Sequence, residues 1–553
     1  MKMYRWLLIG TTLLVLMLTA CERDTADPDD PAAEKRAWAE SRVDIYAPFR
    51  LEAEIDHLSE SQRELLLILM EIGDIMDALF WEQAWGDRDA LMSRIDNEAV
   101  SRFADINYGP WDRLAGGRPF VPGVGERPAG ANFYPADMSR DEFQQADLPG
   151  KDSLYSMLRR DQAGELTAIP YSEYFADELS RAAELMRDAA ELAENDGFRA
   201  YLLARAEAFE SDDYYPSDVA WMAMRDNDIE FVVGPIETYE DRLFGNKAAF
   251  EAFVLIRDRE WSDRLQRFAD YLPDLQANLP VPPEYRQESP GSDADLGAYD
   301  ALYYSGDANA GAKTIAINLP NDERVQQEQG TRRLQIRNAM QAKFDKIVIP
   351  IAETLIVPEQ RDRVIFDAFF GNVMFHEIAH GLGLNYTLDG EGTVRQALQE
   401  HASALEEAKA DILGLHMITE MLTDGRLDDA ALEDYYVTFL ASIFRSTRFG
   451  ADSAHGRANM IAFNTFEEMG AFERDEDSGL YRVDFDAMQD AVTALAQDIL
   501  MIQGDGDYRR ADELISALGR IGSSLQSDLD RLDEAGIPVD VIFEQGPAVS
   551  GLR

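Results

Sequence analysis

The chain contains Phe375-His376-Glu377-Ile378-Ala379-His380-Gly381 within an apolar helical pattern that starts near Arg361. On an α-helix, residues four positions apart lie on one face, so His376 and His380 can reach one ion together. Glu377 then lies beside them, next to the open coordination position that a catalytic zinc keeps for water. A carboxylate in that place can take a proton from water, whose pKa zinc lowers toward about 7. The stretch therefore predicts a zinc site on a helix, suited to amide hydrolysis.

The motif alone is only moderately specific, because a chain with six histidines carries such a pattern by chance about once in a hundred cases. A third ligand is expected in the helical segment 404–411, with the sequence ALEEAKAD. Glu406, Glu407 and an acid four positions later share this helix with apolar residues, among which an unpaired charge is costly. The segment therefore indicates a bound cation.

The histidines cluster in the same part of the chain. Five of the six lie between residues 376 and 455, and only His57 lies elsewhere. For His401 and His416 we expect ordinary structural or supporting roles, since no ligand spacing distinguishes them. The clustering supports a metal site.

The composition limits the class of protein. A chain of 553 residues is long enough for two or more hydrophobic cores, since single cores stop growing at about 250–300 residues. With 52 basic and 104 acidic residues, the formal net charge is −52. A field of this sign repels phosphate backbones and anionic lipid headgroups, so nucleic-acid binding is disfavoured. We interpret the acidity as surface adaptation, and attraction of cationic substrates is the alternative.

The N-terminus has the plan of a secretory signal. A basic start is followed by an apolar run over residues 6–18, which is too short for a comfortable membrane helix. The run ends in Leu18-Thr19-Ala20-Cys21, which resembles a bacterial lipobox, and Cys21 is the only cysteine. We expect residues 1–20 to be a lipoprotein signal peptide, Cys21 to carry lipid, and 21–36 to be a flexible tether. The protein would then be an exported bacterial lipoprotein, periplasmic or at the cell surface; a buried free cysteine is the alternative.

The rest of the chain reads as a mixture of helices and short strands. Ser61 and Glu64 form a capping-box pattern before an apolar run over 65–80, which predicts a buried helix. Further expectations are a long loop over 108–135, a helical hairpin over 173–210, strands at 229–233 and 314–319, and an almost wholly helical pattern after about 330.

The combination of HEIAH (376–380) and LEEAKAD (405–411) resembles the dipeptidyl peptidase III family, peptidase family M49, whose metal motifs are HExxGH and EExxAD. The resemblance covers roughly residues 105–475. It extends to VGPIETYEDRLFGNKAAFEAFV (233–254), IAINLPN (315–321), DSAHGRANMIAFNTFEEMGA (452–471) and NYGPWDRL (107–114). The last run is similar to a branch of the family that is fused to Nudix domains in plants, but we find no Nudix signature in this chain.

The resemblance implies a role for each matching residue of the two metal motifs. His376, His380 and Glu407 match the ligands of one zinc ion per chain, and Glu377 matches the general base. Glu406 matches an acid that supports the ligands.

Two more residues complete the expected centre. Asp411, one helical turn beyond Glu407, is placed to orient a histidine ligand through its distal N–H. His455 matches a histidine that stabilises the developing oxyanion in the family, and its alternative is a surface loop residue.

Glu230, Asn318 and Asn321 match residues that hold the free α-amino group of a peptide substrate in the family. An ammonium at the end of a cleft needs acceptor oxygens and one negative charge, which two amide carbonyls and a carboxylate supply. For the two asparagines, capping of the turn beside Pro320 is the alternative.

The sequence departs from the family pattern in two places. The two histidines are one residue closer together than usual, a spacing that fits a regular helix. Val232 occupies the position of a tyrosine that acts as an oxyanion donor in the family, and its loss costs transition-state stabilisation unless Tyr239 or another group replaces it.

The resemblance implies a helix-rich α+β protein with two lobes around a wide cleft. We expect a mixed lobe with a small β-barrel-like sheet over 37–255, joined by about 296–325, and a mostly helical zinc lobe over 256–295 and 326–545. It also implies an exopeptidase that releases dipeptides from short peptides. Two alternatives remain: a zinc hydrolase of different specificity, and a lipoprotein that binds peptides or zinc without turnover. The sequence does not predict the oligomeric state.

The lipobox can be tested in a bacterial host that processes lipoproteins. Cys21→Ser removes the thiol to which lipid would be attached, so we expect the protein to move from the membrane fraction to the soluble exported fraction. Fractionation and intact-mass measurement follow the change, with Thr25→Ser as a control outside the motif. An unchanged membrane fraction in the Cys21 variant would contradict lipidation.

Overall fold

A computed structural model of the protein describes residues 31–289, 294–451 and 453–552. The expected signal peptide, Cys21 and the first ten residues of the expected tether lie outside this range. A helix begins at Pro31, so residues 31–36 of the expected tether are helical. None of the helices within the described ranges is long and apolar enough to cross a membrane.

The N-terminal half alternates short helices with hairpins. Its helices are α1 Pro31–Arg42, α2 Glu60–Ala84, α3 Arg88–Met92, α4 Glu98–Asn107, α5 Arg140–Gln145, α6 Tyr171–Tyr174, α7 Ala176–Leu192, α8 Asp196–Ser211, α9 Tyr215–Ala223, α10 Arg259–Ala269 and α11 Leu272–Ala277. Helices α7 and α8 pack against each other as the predicted helical hairpin.

The C-terminal half is mostly helical. Its helices are α12 Glu323–Gln329, α13 Arg337–Lys343, α14 Ile349–Leu355, α15 Phe366–Ala379, α16 Val394–Leu398, α17 Ala402–Thr423, α18 Leu432–Thr447, α19 Ala454–Glu468, α20 Phe485–Asp505, α21 Tyr508–Leu518 and α22 Ser523–Glu534. A π-helical turn, Phe344–Val348, joins α13 to α14.

The strands are β1 Tyr46–Arg50, β2 Trp111–Asp112, β3 Arg118–Pro119, β4 Ser156–Arg160, β5 Leu166–Pro170, β6 Ile229–Glu237, β7 Ala249–Asp258, β8 Ala294–Gly306, β9 Ala316–Leu319, β10 Thr331–Ile336, β11 Phe472–Arg474, β12 Tyr481–Val483 and β13 Asp540–Glu544. Four strands after residue 330 are exceptions to the helical pattern expected there. One of them, β13, pairs in parallel with β1 and so joins the two ends of the described chain.

Five strands form the main sheet, in the order β6-β7-β8-β10-β9. All neighbours are antiparallel except β8 and β10. The sheet is open, so the expectation of a barrel-like sheet is wrong: β6 and β9 do not pair with each other among the described residues. Strand β9 is therefore an edge strand.

The long helix α2 begins earlier than the sequence suggested. Its capping box is formed by Ser59 and Gln62, whose side chains each accept a hydrogen bond from the backbone N–H of the other. The predicted pair, Ser61 and Glu64, lies inside the helix instead. Both pairs fit the same spacing pattern. Ser59 is the N-cap because its backbone is extended and it directly precedes the first helical residue.

The hydrophobic side chains form two large cores, in keeping with a helix-rich α+β fold of two lobes. One core runs from Ala39 through the main sheet to Ala339 and includes residues of both helices of the α7–α8 hairpin. The other runs from Leu265 to Ile537 and is built almost wholly from helices. Strand β9 contributes Ile317 and Leu319 to the first core, while its other face points away from it.

Helices α15 and α17 cross at a glycine. A Cβ atom on Gly414 would lie 3.0 Å from the backbone nitrogen of His376 and 3.1 Å from the carbonyl carbon of Phe375. Contacts of this kind with backbone atoms can be relieved only by moving one helix. Gly414 therefore permits the close approach that brings the carboxylates of α17 to the histidines of α15.

We expect Gly414→Ala to push these helices apart by a few tenths of an ångström. Overpacking of this kind costs about 1–3 kcal/mol in the free energy of unfolding, and it should also weaken metal binding. Thermal unfolding and metal content measure both effects. Gly125→Ala is the control, because a Cβ there meets nothing within 4 Å. Equal metal content and stability in the two variants would contradict the role of Gly414.

Candidate metal centre

Three helices position the side chains of the metal motifs. His376 and Glu377 lie in the last turn of α15, and His380 caps that helix with helical backbone angles, φ −56° and ψ −29°. The regular four-residue spacing is thus kept. Helix α17 carries Glu406 and Glu407 on its second turn and Asp411 one turn later, while His455 lies in the first turn of α19.

The imidazoles converge on one carboxylate oxygen. Oε2 of Glu407 lies 3.2 Å from Nε2 of His376, 3.8 Å from Nε2 of His380 and 3.2 Å from Nε2 of His455. This oxygen is buried and has no hydrogen-bond partner among the described residues. Several lone pairs therefore point at one small volume, and a buried acceptor without a donor needs a cation.

Both predicted histidine ligands are held from behind by carboxylates. Nδ1 of His376 lies 2.7 Å from Oδ1 of Asp411, and Nδ1 of His380 lies 2.9 Å from Oε1 of Glu406. A carboxylate on Nδ1 fixes the tautomer that leaves Nε2 free to bind a metal. Asp411 and Glu406 thus occupy the positions expected of supporting acids.

The electrostatics of the centre favour cations. Burial opposes a charge on His376, but the carboxylate of Asp411 outweighs it and raises the pKa of His376 well above its usual value. Burial would also raise the pKa of Glu406, but the Lys409 ammonium and His380 hold that pKa at about 2. Burial would raise the pKa of Glu407, but the His376 ring and the other imidazoles outweigh burial and lower it. These carboxylates are therefore ionised at neutral pH.

The donor set fits zinc. Two imidazole nitrogens and one carboxylate oxygen form a common catalytic set that leaves a fourth position open. The tightest group of ligand atoms is His376, Glu407 and His455, which lie within 4.8 Å of one another. His380 is slightly farther from Glu407, yet it has a carboxylate on Nδ1, whereas the His455 side chain is 69% exposed and begins a helix. His380 and His455 are therefore both close enough to Glu407 to contribute to one site.

A cavity of about 590 Å³ opens at the centre. His376, Glu377 and His455 line it on one side, and the segment 312–316, which leads into strand β9, lines it on another. Phe369, Phe439 and Phe449 are among its apolar walls. A volume of this size falls in the range of roughly 300–1,000 Å³ that is common for ligand sites.

The edge strand β9 reaches this cavity. Ala316 lines the cavity, and Asn318 lies on the same face of the strand, exposed to solvent. Asn318 is opposite Arg333 of β10, whose guanidinium donates a hydrogen bond to the carbonyl oxygen of Glu377. Asn321 is exposed just beyond the strand and donates to the carbonyl of Ile236. The structure therefore places Asn318 on the face of β9 that it shares with Ala316, and Asn321 at the end of β6 beside a second pocket.

The structure places Glu230 elsewhere. Its side chain is buried inside the sheet, where Oε2 lies 2.6 Å from a guanidinium nitrogen of Arg332 and Oε1 accepts a hydrogen bond of 2.6 Å from the indole of Trp221. Both oxygens are occupied, and the side chain is only 3% exposed. In this conformation Glu230 neutralises Arg332 and does not reach the cavity, and its substrate role stays a prediction.

Neither Val232 nor Tyr239 lines the metal cavity. Val232 is buried in β6 and lines a second, aromatic pocket of about 320 Å³ that also contains Asn321. Tyr239 is 78% exposed on the loop after β6 and does not line the metal cavity. The hydroxyl that the sequence analysis offered as a replacement is thus away from the centre in this conformation.

Several residues of the centre escaped the sequence analysis. Lys409 binds Oε1 of Glu406 at 2.8 Å, a contact that the three-residue helical spacing of the two residues could have suggested. Gln503 of α20 approaches the other Glu406 oxygen, Asn459 of α19 approaches Asp411, and Arg333 holds the end of α15. These three come from distant segments, and no local pattern marks them.

The variant Glu230→Gln tests whether Glu230 has a structural role or binds the substrate. The change removes a buried carboxylate on which Arg332 and Trp221 converge, so we expect a loss of roughly 3–5 kcal/mol in the free energy of unfolding. Chemical denaturation measures it, with the exposed Glu328→Gln as control. A variant of unchanged stability that binds peptides more weakly would show instead that Glu230 acts on substrate.

The comparisons with known proteins agree with this geometry. Residues 158–409, which include both motif histidines and Glu407, match the family model described as Peptidase family M49. The chain is 36% identical to Nudix hydrolase 3 of Arabidopsis thaliana over 91% of its own length and 73% of that protein. It is 23% identical to dipeptidyl peptidase 3 of Homo sapiens, over 45% of this chain and 38% of that one.

Two solved structures are similar over nearly their whole length. The structure of DPP III from Caldithrix abyssi superposes with a TM-score of 0.87 at 37% identity, covering 91% of this chain and 98% of that one. DPP III from Corallococcus sp. strain EGB gives a TM-score of 0.78 at 37% identity, covering 93% and 98%. The chain belongs to peptidase family M49 and is a metallopeptidase.

Proposed function

We propose that this protein is a zinc-dependent dipeptidyl peptidase, which releases dipeptides from the free N-terminus of short peptides. The observation that carries the proposal is the convergence of three imidazoles on the buried, unsatisfied Oε2 of Glu407, at the wall of a cavity that meets an open sheet edge. The relatives named dipeptidyl peptidase and DPP III support it.

His376, His380 and Glu407 would hold one zinc ion. Zinc, when bound, supplies a Lewis acid that polarises a carbonyl and lowers the pKa of water. Asp411 and Glu406 keep the two imidazoles turned toward the ion through their Nδ1 atoms.

Glu377 and His455 act on the reacting groups. Glu377 lines the cavity next to the first histidine and accepts a proton from the attacking water, then returns it to the leaving amine. His455 is exposed to the same cavity and donates a hydrogen bond to the carbonyl oxygen as it gains negative charge. The hydrogen bond from His455 matters more in this chain, because Val232 occupies the position of the family's tyrosine donor and cannot donate one.

The edge strand explains how the substrate is held. An extended peptide can pair with the free side of β9, where backbone groups give affinity regardless of side chains. Asn318 lies two residues from Ala316, which lines the metal cavity, and two residues of a strand span about 7 Å. A peptide whose amino group is held at Asn318 and Asn321 would therefore present its second peptide bond to the centre.

Glu237 is a second candidate, besides Glu230, for the carboxylate that faces the amino group of the substrate. Burial raises the pKa of Glu237, at the end of β6, and the side chain of Asn321 opposes that rise. Glu237 thus lies beside Asn321 and would be stabilised by a bound ammonium.

We also propose that the protein is an exported lipoprotein, on the strength of the signal-like run and Cys21.

Glu377→Gln tests the chemistry. It keeps the shape of the side chain but removes the base, so we expect kcat to fall by about a hundredfold to ten-thousandfold while zinc content is unchanged. Dipeptidyl reporter hydrolysis and metal analysis are the measurements. Glu468→Gln, on the exposed end of α19, is the matched control.

The products test the specificity. Mass spectrometry of digests of free and N-acetylated pentapeptides should show dipeptides from the free peptide alone. If the peptides were instead shortened by one or three residues, the protein would be a zinc peptidase of another specificity. Zinc-loaded wild-type protein that cleaves no peptide would favour the alternative suggested by Val232, a peptide-binding protein without turnover.

A further inference from the structure

The lining of the cavity at the metal centre includes four charged residues that the proposed chemistry does not use. They are Lys313, Lys343, Arg445 and Asp540, and we call this group the cationic end. Counted as formal charges, three cations and one anion leave an excess of two positive charges. The whole chain has a formal net charge of −52, so this local excess runs against the composition.

Asp540 alone does not account for the cations. Lys343 lies 3.0 Å from Oδ1 of Asp540 and 3.1 Å from Oδ2. The backbone N–H groups of Val541 and Lys313 donate to the same two oxygens. One lysine therefore already neutralises a carboxylate whose other lone pairs are filled.

The two remaining cations have no counter-charge in ion-pair contact among the described residues. The ammonium of Lys313, on a side chain whose residue is 4% exposed, donates to the backbone carbonyl of Asn309. Arg445 makes no hydrogen bond or ion pair with any described residue, and its Nε is buried without a partner. Arg445 is also one of the residues that line the cavity.

Such an arrangement destabilises the fold unless something else compensates it, because an uncompensated buried charge costs several kcal/mol. Burial is the main cause that lowers the pKa of Lys313 to about 7, and it also lowers the pKa of Arg445, although Asp540 opposes both shifts. Residues that break packing rules in this way are expected at functional sites.

We propose that the cationic end binds a carboxylate of the peptide substrate on the leaving-group side of the cleaved bond, through Arg445 and Lys313. The inference rests on the proposed function and adds the recognition of a second substrate group. The carboxylate has two possible sources, the C-terminus of a short peptide or an acidic side chain near it.

The chain direction fits this placement. Lys313 and Asn318 lie on one segment, five residues apart, which spans about 17 Å when extended. A peptide antiparallel to this segment, with its amino group at Asn318, runs past the metal centre toward Lys313. A span of that length corresponds to a peptide of four or five residues, so the cationic end would favour short substrates with a free C-terminus.

Binding is measured first, on zinc-loaded Glu377→Gln protein, so that the readout does not depend on turnover. Calorimetry compares tetra-alanine with its C-terminal amide. We expect the free acid to bind at least about tenfold more tightly, because hydrogen bonds to charged groups are strong. A tetrapeptide amide with Glu at the third or fourth position separates the two sources: recovered affinity assigns the site to a side-chain carboxylate, and no recovery assigns it to the C-terminus.

Variants then assign the effect to the cationic end. In the same background, Arg445→Gln and Lys313→Gln should each reduce the preference for the acid by about tenfold. Lys346→Gln, an exposed lysine that follows Lys343 in the π-helical turn, is the control and should keep the preference. Arg445→Gln should not lower Tm, since it breaks no contact, and this distinguishes a binding from a structural role.

The outcomes separate this inference from the proposed function. If the wild-type protein releases dipeptides but binds acid and amide equally, the inference fails and the proposed function stands. If the protein prefers the free-acid peptide to its amide and the Arg445→Gln variant keeps the whole preference, the assignment of the bound carboxylate to the cationic end is wrong. If peptides bind with the expected preference but are not cleaved, the proposed function fails and the carboxylate site stands.

Discussion

Two carboxylate–imidazole contacts across one helix interface determine the geometry of the metal centre. Asp411 and Glu406 of α17 hold the Nδ1 atoms of His376 and His380 on α15, so both Nε2 atoms point at Glu407. The contacts require the two helix backbones to approach closely, which Gly414 permits. The apolar side chains of the helical core then keep this approach fixed.

The second constraint is the position of the sheet. Strand β9 is the edge of the five-stranded sheet, and Arg333 on its neighbour donates to the carbonyl of Glu377. This one contact connects the sheet to the end of the metal helix. It places an open strand edge beside a carboxylate that can act as a base, which is the geometry that a peptidase of extended substrates needs.

Charge is distributed very unevenly in this protein. The composition is strongly acidic, while some buried charges, such as Glu230 and Arg332, pair with each other. The metal centre has more carboxylates than cations and the cationic end has more cations than carboxylates, although both line one cavity. A zwitterionic short peptide has the complementary pattern along its length, with a polarisable carbonyl between its two charged ends.

The sequence by itself determined the helices of the metal centre, because His376 and His380 follow helical periodicity and the acids of 404–411 lie among apolar neighbours, while the choice of Glu407 as a ligand came from the family resemblance. Local patterns also identified the α7–α8 hairpin. They misplaced the cap of α2, where two serines fit equally well, and the expectation of a barrel-like sheet came from the family resemblance and not from a local pattern. Only the tertiary structure decided that Glu230 pairs with Arg332 and that Lys313, Lys343, Arg445 and Asp540 meet in one cavity. Those contacts join residues 30 to more than 200 positions apart, which no periodicity in the chain records.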